Sequence, residues 1–487
     1  MSAHCFIMKK VDFLLLSLII FLALVCRLYN INTPLADLHS WRQSDTAAVA
    51  RNFITQGFDL LHPKYDDLSN IQSGKYNPQG YRMVEFPIYS AIVAVLYKSF
   101  PVVPLEVYGR LTTIFFSLVL ISVIYYLLLK ESNRLSAVIG SLVYAIFPFF
   151  VFFSRVVLPD TAALSLAFLA IFFFYLFTHN KGAKIWIFYL LSLILFAASL
   201  LVKPVTIFFG LAFLYLFFIK YEFNLVKRLD TYVYFILAVL PLVWWRFYIQ
   251  NYPEGIPANK WLFTMVNTSA GLQPIFLRPA FFRWIFFERI NNIILGGFGA
   301  TLLVIGSLIK NRRLLLFSIL ISSLIYLFTF EGGNVQHEYY QIIILPALAM
   351  FTGIGASYLL TDNKKQFIHQ AVLYPVVVAI FAFSLLISFY QVKGYYDYSN
   401  DLVSIAKIVR TLTNPSDQIV TDTVGDTTLL YLSDRRGYPA VTEGLPDLKK
   451  RGASYFVTQK SDVIAQLKKE KRFTVIFEND KFALFKL

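Results

Sequence analysis

The sequence predicts a mainly α-helical, polytopic membrane bundle with a small α/β domain at its C-terminal end, outside the membrane. Three observations lead there. Of 487 residues, 57% are hydrophobic and only 15% charged, with mean hydropathy +0.61, whereas soluble domains carry about 25% charged residues. Apolar stretches of helix length follow one another from residue 11 to residue 390. Near residue 397 the long apolar runs give way to short alternating segments separated by turn residues.

A membrane span needs roughly 20 apolar residues to cross about 30 Å of hydrocarbon. Twelve stretches qualify as candidates: 11–29, 86–100, 110–129, 135–153, 158–178, 185–202, 204–219, 231–249, 291–309, 313–330, 340–360 and 369–390. The first follows Lys9 and Lys10 and lacks a small-x-small cleavage site. Bulky Val25 before Cys26 argues against a lipoprotein signal, so the stretch reads as an uncleaved helix. Cys5 and Cys26 cannot form a disulfide framework and read as buried small hydrophobes.

Cations in the short connections set the orientation. Lys9/Lys10, Lys130/Arg134, Lys181/Lys184, Lys220/Lys227/Arg228, Lys310/Arg312/Arg313 and Lys364/Lys365 all face the cytoplasm together if 86–100 crosses only halfway. That stretch is short and bracketed by Pro87 and Pro101. Eleven full spans follow (thirteen as the outer bound), with the N-terminus inside and the C-terminus outside. The loops 30–85, 154–161, 250–290 and 331–340 then lie outside, as does Lys203 between two spans.

A transmembrane domain over 1–396 and an extracytoplasmic domain over 397–487 are expected. In the latter, 401–412 has helical periodicity, while "QIVTD", "SYFVTQ", "FTVIFEND" and "FALFKL" read as strands. The net charge of +15 does not indicate a nucleic-acid partner. From Asp397 onward 14 Lys/Arg meet 12 Asp/Glu, so the excess lies in the membrane part.

"ADLHSWRQSDTAAVARNF" (36–53) concentrates polar chemistry at the exit of the first span. Ser40-x-x-Gln43 has the form of a capping box, placing a helix start near Trp41. Arg42, Asp45 and Val49 then share a helical stripe, and Asp37 stays in the preceding loop. A carboxylate there can act as a general base toward a hydroxyl, and an arginine can hold a phosphate bidentately. The plainer alternative is a solvated interfacial helix.

Other outer elements add Arg155, Asp160, Lys203, His337, Tyr339 and Tyr340. Ionisable groups at membrane depth are costly and usually functional, although Asp160 could simply cap its helix and Lys203 snorkel. Asp66 and Asp67 read as solvated loop rather than metal ligands. Carboxylates, cations and aromatics at one interface suit a lipid-phosphate-linked sugar. Its phosphate needs Lys or Arg, and its sugar can stack on Trp or Tyr.

These residues resemble those of membrane glycosyltransferases of the C-type fold, in the branch of protein O-mannosyltransferases and lipid A aminoarabinose transferases. The similar features are "AAVAR" (47–51), "EFPIY" (85–89), "SRVVLPDT" (154–161), Lys203-Pro204 and "HEYYQIIILPAL" (337–348), covering approximately residues 10 to 390. Two departures stand out. Arg42-Gln43 falls where the family carries paired acidic residues, and Phe86 stands where a lysine is expected.

The resemblance implies inverting transfer from a polyprenyl-phosphate sugar, with Asp37 (or Asp45) as acceptor-side base. Asp160 and Glu85 would shape the site. Lys203, Arg155 or Arg42 would bind the phosphate, and His337 and Tyr340 the phosphate or sugar. No tight metal cluster appears and no obligatory ion is expected, a divalent metal being compatible but not evident. The expected partners are the donor lipid, the bilayer and an envelope glycan, lipid or protein acceptor. A flippase for a lipid-linked sugar is the alternative, but internal repeats and midplane charges are its signature, and the sequence shows neither. A non-catalytic assembly protein is the third reading.

Overall fold

A computed structural model describes residues 8–182, 185–258, 275–309, 314–361 and 369–487. Cys5, Lys184, Lys310, Arg312, Arg313, Lys364, Lys365 and the middle of the 250–290 loop lie outside the described residues. The chain forms two compact units. One takes residues 1–31, 110–245 and 263–394, the other residues 32–109, 246–262 and 395–487. The units therefore do not divide at residue 397 alone.

The first unit is helical. All of the predicted stretches are helical, eleven of them wholly or mainly in this unit, although 135–153 is broken at Phe147 and 291–309 at Leu295–Phe298. Among the described residues, seven helices are long and apolar enough to cross a membrane, eight if Pro279–Ile294 and Gly299–Leu308 count as one span. Lys10–Arg27 has the length but carries Lys10, Asp12 and Arg27. Arg134–Ile146 and Leu315–Thr329 are shorter, at 13 and 15 residues.

The straight span expected over 291–309 is instead two helices bent by 117°. Gly296 and Gly297 at the break adopt φ of +61° and +79°, left-handed values that other residues rarely adopt. A Cβ on Gly296 would also lie 1.9 Å from the Ser384 carbonyl oxygen, so the break packs directly on the helix Gln370–Val392. Helix Gly299–Leu308 likewise approaches Leu345–Leu360 at backbone distance. A Cβ on Gly306 or Gly355 would come within 1.9 Å of a facing carbonyl oxygen. Small residues allow such contacts where lipid removes the hydrophobic drive between helices.

Arg27 has a role that hydropathy does not reveal. Pro148 breaks the helix after Ile146 and supplies no N–H, so the Tyr144 and Ala145 carbonyls lose their usual partners. The fully buried Arg27 guanidinium donates to both, at 3.0 and 2.8 Å, and to Ser154 Oγ at 2.7 Å. Arg27→Leu should leave these acceptors buried without donors, at about 1–3 kcal/mol each. The expected outcome is a thermal midpoint lower by several degrees in detergent. An unchanged midpoint would show that the carbonyls find other donors.

The second unit holds the helices Ser40–Thr55 and Ile88–Ser99 and the C-terminal domain. Ile88–Ser99, at 12 residues, extends about 18 Å, short of the roughly 30 Å a full span requires. In the C-terminal domain, strands β1 (Gln418–Thr421), β2 (Gly437–Tyr438), β3 (Ala453–Thr458), β4 (Thr474–Glu478) and β5 (Ala483–Lys486) form one sheet in the order β2-β1-β3-β5-β4. β1 runs parallel to β2 and β3, whereas β5 runs antiparallel to β3 and β4.

Alternate residues bury on opposite faces, as period-two geometry requires. Val420, Phe456 and Phe485 pack with Leu448 and Leu467. Ile419, Val457 and Leu484 pack with Ile405, Val409 and Leu430. All four predicted strands and the helix over 401–412 are present; only the two-residue β2 was not predicted. β2 also pairs with the loop 30–85, through Leu68 N–H to Gly437 O at 2.7 Å and Gly437 N–H to Asp66 O at 2.9 Å.

Candidate functional site

In the second unit, the helix starts at Ser40 as expected, but the capping box does not form. His39 is the N-cap residue, in the left-handed region at φ 57°, with no side-chain cap. The Gln43 amide donates instead to Asp37 Oδ1 at 2.6 Å and to Leu38 O at 3.0 Å. Asp37 does lie in the loop before the helix, buried and oriented by Gln43.

Asp45 is buried on the helix itself, one oxygen 3.1 Å from Arg82 Nη2 and the other accepting the Thr427 hydroxyl at 2.7 Å. Burial raises its carboxyl above the usual range, against the opposing pull of Arg82 and Arg42. Arg42 and Glu85, both expected near the donor, form an ion pair with each other at 2.5 Å. Of these groups, Asp37 lies in the loop before the helix, while Asp45 ties its helix to Arg82 and to Thr427.

Asp66 and Asp67 are not solvated loop residues; both are buried. Arg51 reaches Asp66 at 2.5 Å and Asp434 at 3.0 Å, and its guanidinium lies over the Tyr431 ring. Asp67 accepts from Ser69 N–H at 2.7 Å and from the Tyr65 hydroxyl at 3.3 Å. The correction follows from pairing, because β2 draws this loop into the sheet and desolvates both carboxylates.

Burial pushes the Asp67 carboxyl up from 3.8 to about 6. The folded protein then holds a proton that the unfolded chain releases, so stability is fully present below pH 3.8 and falls as pH rises toward 6. A shift of about two units corresponds to about 3 kcal/mol. Asp67→Asn keeps the acceptor for Ser69 and removes the titration. Its stability relative to the parent protein should rise by up to this amount between pH 4 and pH 8 in detergent melts. A difference independent of pH would count against the assignment.

In the first unit, Asp160 begins the helix Asp160–His179, yet caps nothing with its side chain. Its Oδ1 lies 3.2 Å from Lys203 Nζ, and its buried Oδ2 has no hydrogen-bond partner among the described residues. The lysine that nothing nearby in sequence neutralises is thus neutralised from the helix Asp160–His179, two helices earlier in the chain. Tyr326 stands within electrostatic reach of Asp160, Tyr339 and Tyr340, and its hydroxyl donates to Tyr340 O at 3.0 Å.

His337 stacks on Tyr339, and the Tyr339 and Tyr340 rings are 4.9 Å apart. Arg155 is fully buried and donates to Asn30 O at 2.9 Å. Glu338 pairs with Arg289. The structure therefore gathers Asp160, Lys203, Tyr339 and Tyr340 in one unit, and Asp37, Arg42, Asp45 and Glu85 in the other. Sequence reading missed Arg82, Thr427 and Tyr326, none of which carries a local motif. Among the described residues no group of three or more His, Cys, Asp or Glu could hold a metal ion.

The helical unit, with its Asp160–Lys203 pair, and the second unit, rich in buried carboxylates, belong to a polytopic membrane protein whose fold is that of the C-type glycosyltransferases to which it is similar. Residues 87–245 match the family described as dolichyl-phosphate-mannose-protein mannosyltransferase. The fold is similar to that of ArnT from Cupriavidus metallidurans bound to undecaprenyl phosphate, with TM-score 0.66, 14% identity and 98% of each chain covered. It is also similar to the archaeal oligosaccharyltransferase AglB from Archaeoglobus fulgidus, in complex with an inhibitory peptide and a dolichol-phosphate. There the TM-score is 0.59 at 12% identity, covering 93% of this chain and 69% of that one. The mycobacterial arabinofuranosyltransferase AftD is similar at TM-score 0.58 and 12% identity, over 99% of this chain and 42% of that one. No curated protein matches in sequence. Together these findings support glycosyl transfer, in general terms, by a multi-pass integral membrane protein.

Proposed function

We propose that the protein transfers a sugar, with inversion, from a polyprenyl-phosphate donor to a cell-envelope glycan, lipid or protein acceptor. The site faces outward from the cytoplasmic membrane. The observation that carries this reading is the ion pair of half-buried Lys203 with buried Asp160, with Tyr326 within electrostatic reach of Asp160, Tyr339 and Tyr340. A cation held in this way can exchange part of its pairing for a lipid phosphate. Undecaprenyl phosphate in ArnT and dolichol-phosphate in AglB support a lipid phosphate as the ligand.

In this reaction the acceptor hydroxyl attacks the anomeric carbon and gives its proton to Asp37. The bond from that carbon to the phosphate oxygen breaks, and the phosphate leaves with the electron pair. Lys203, with Arg155, stabilises the charge that develops on the phosphate. Glu85 holds Arg42 in place, and His337, Tyr339 and Tyr340 line the donor side. The test is transfer of label from a radiolabelled panel of polyprenyl-phosphate sugars to membrane extracts by the purified protein. Label in the extract is the expected result. No transfer, with labelled lipid crossing liposome membranes, would leave the flippase reading in its place.

A further inference from the structure

The second unit contains a cleft of about 330 Å³ lined by Asn52, Phe53, Gln56, Phe58, His62 and Tyr81, with Gly57, Asp59 and Lys64 completing it. Its volume lies at the lower end of small-molecule pockets, roughly 300–1,000 Å³. The helix Ser40–Thr55 ends at its edge. Gly57 follows at φ +106° with no atom within 4 Å of a Cβ position, so the chain turns sharply and leaves the space beside it open. We propose that this cleft binds one uncharged pyranose ring of an acceptor glycan. Calling the glycan an acceptor rests on the glycosyl-transfer reading above; the sugar site itself does not.

A pyranose ring presents a face of C–H groups and a rim of hydroxyls, and the cleft offers a counterpart to each. Its apolar side is the Phe53–Phe58 ring pair, with centroids 5.0 Å apart, and Phe58 is 51% exposed although aromatic. Tyr81 adds a third ring, itself braced by Tyr252 at 5.2 Å. The polar side carries exposed Gln56, whose Nε2 donates at 3.1 Å to the Oδ1 of buried Asn52, while the Asn52 amide donates to Lys64 O at 3.0 Å and so holds Gln56 in place. The Gln56 amide is both donor and acceptor, as a hydroxyl requires.

His62 is oriented from both ring nitrogens, by Asp59 at 2.7 Å and by the Tyr252 hydroxyl at 2.8 Å. Lys64 and Asp59 supply opposite charges, so neither an anionic nor a cationic sugar is selected. The cleft lies too far along the helix to hold the reacting sugar. Asp37 lies just before the helix start at Ser40, and twelve residues separate Ser40 from Asn52 and sixteen from Gln56, a rise of about 18 and 24 Å. Reacting atoms must come within about 3.5 Å. A ring bound here is a more distant unit of a glycan.

The experiment is saturation-transfer NMR on the purified protein in detergent, with methyl α-mannopyranoside, methyl β-glucopyranoside and methyl N-acetyl-β-glucosaminide as probes. At least one glycoside should receive saturation. That signal should weaken fivefold or more in Phe58→Ala and in Gln56→Leu, with thermal midpoints close to the parent, and should persist in Asp37→Asn. No saturation of any glycoside, or equal signals in both cleft variants, would overturn the proposal. Displacement of the glycoside by polyprenyl-phosphate sugar would assign the cleft to the donor and overturn the acceptor reading. Binding that survives in a protein without transferase activity would count against the proposed function and leave the sugar site standing.

Discussion

Asp37→Asn should lower the transfer rate by about 10²–10⁴-fold, the usual contribution of a positioned general base, with little loss of stability. Asparagine keeps an oxygen at the position where Gln43 Nε2 donates at 2.6 Å, so the loop retains its shape. On the proposed function, what disappears is the group that takes the acceptor proton, and the loss should fall on kcat rather than on donor KM. Asp45→Asn is the matched control. It weakens a buried pairing with Arg82, and breaking such a pair by removing one partner costs about 3–5 kcal/mol. That variant should melt earlier while each folded molecule retains most of its activity. The reverse pattern, with Asp37→Asn active and a well-folded Asp45→Asn inactive, would move the base to Asp45.

Lys203→Met has the second large expected effect, on stability and turnover together. It leaves Asp160, whose side chain is only 3% exposed, without its cation, again at a cost of about 3–5 kcal/mol. A neutral pair separates the structural loss from the functional one. Asp160→Asn combined with Lys203→Met removes both charges and should recover much of the melting temperature. Transfer should remain down by about 10²-fold or more, the effect of losing one stabiliser of developing charge. If the double variant transferred sugar at the parent rate, the pair would be a packing element only.

The physical character of the elements explains which expectations survived. Hydropathy depends on neighbouring residues, so the helices over 110–129, 158–178 and 340–360 and the four strands of the tail were readable along the chain. The break at Gly296 and Gly297 was harder to see, because an apolar run continues through it and only backbone geometry reveals the bend. Asp66 and Asp67 look like an ordinary polar loop until β2 pairs with them. Gln43 matches a capping pattern, yet Asp37 offers it a charge-assisted partner six residues away, and such bonds are about twice as strong as neutral ones.

The sequence by itself determined that the chain is a membrane protein, that its tail holds short strands and a helix, and that Asp37, Asp45, Asp160, Lys203 and the His337–Tyr340 segment are its concentrated polar chemistry. Composition and local periodicity suffice for this, because burial in lipid or in a sheet face acts on each short segment independently. Tertiary structure alone decided the partners: Lys203 with Asp160, Arg42 with Glu85, Asp45 with Arg82 and Thr427, and Arg27 with the carbonyls freed at Pro148. A buried charge must be matched by whatever the fold brings within about 4 Å, and that neighbour lies 37 to 382 residues away along the chain in these four cases.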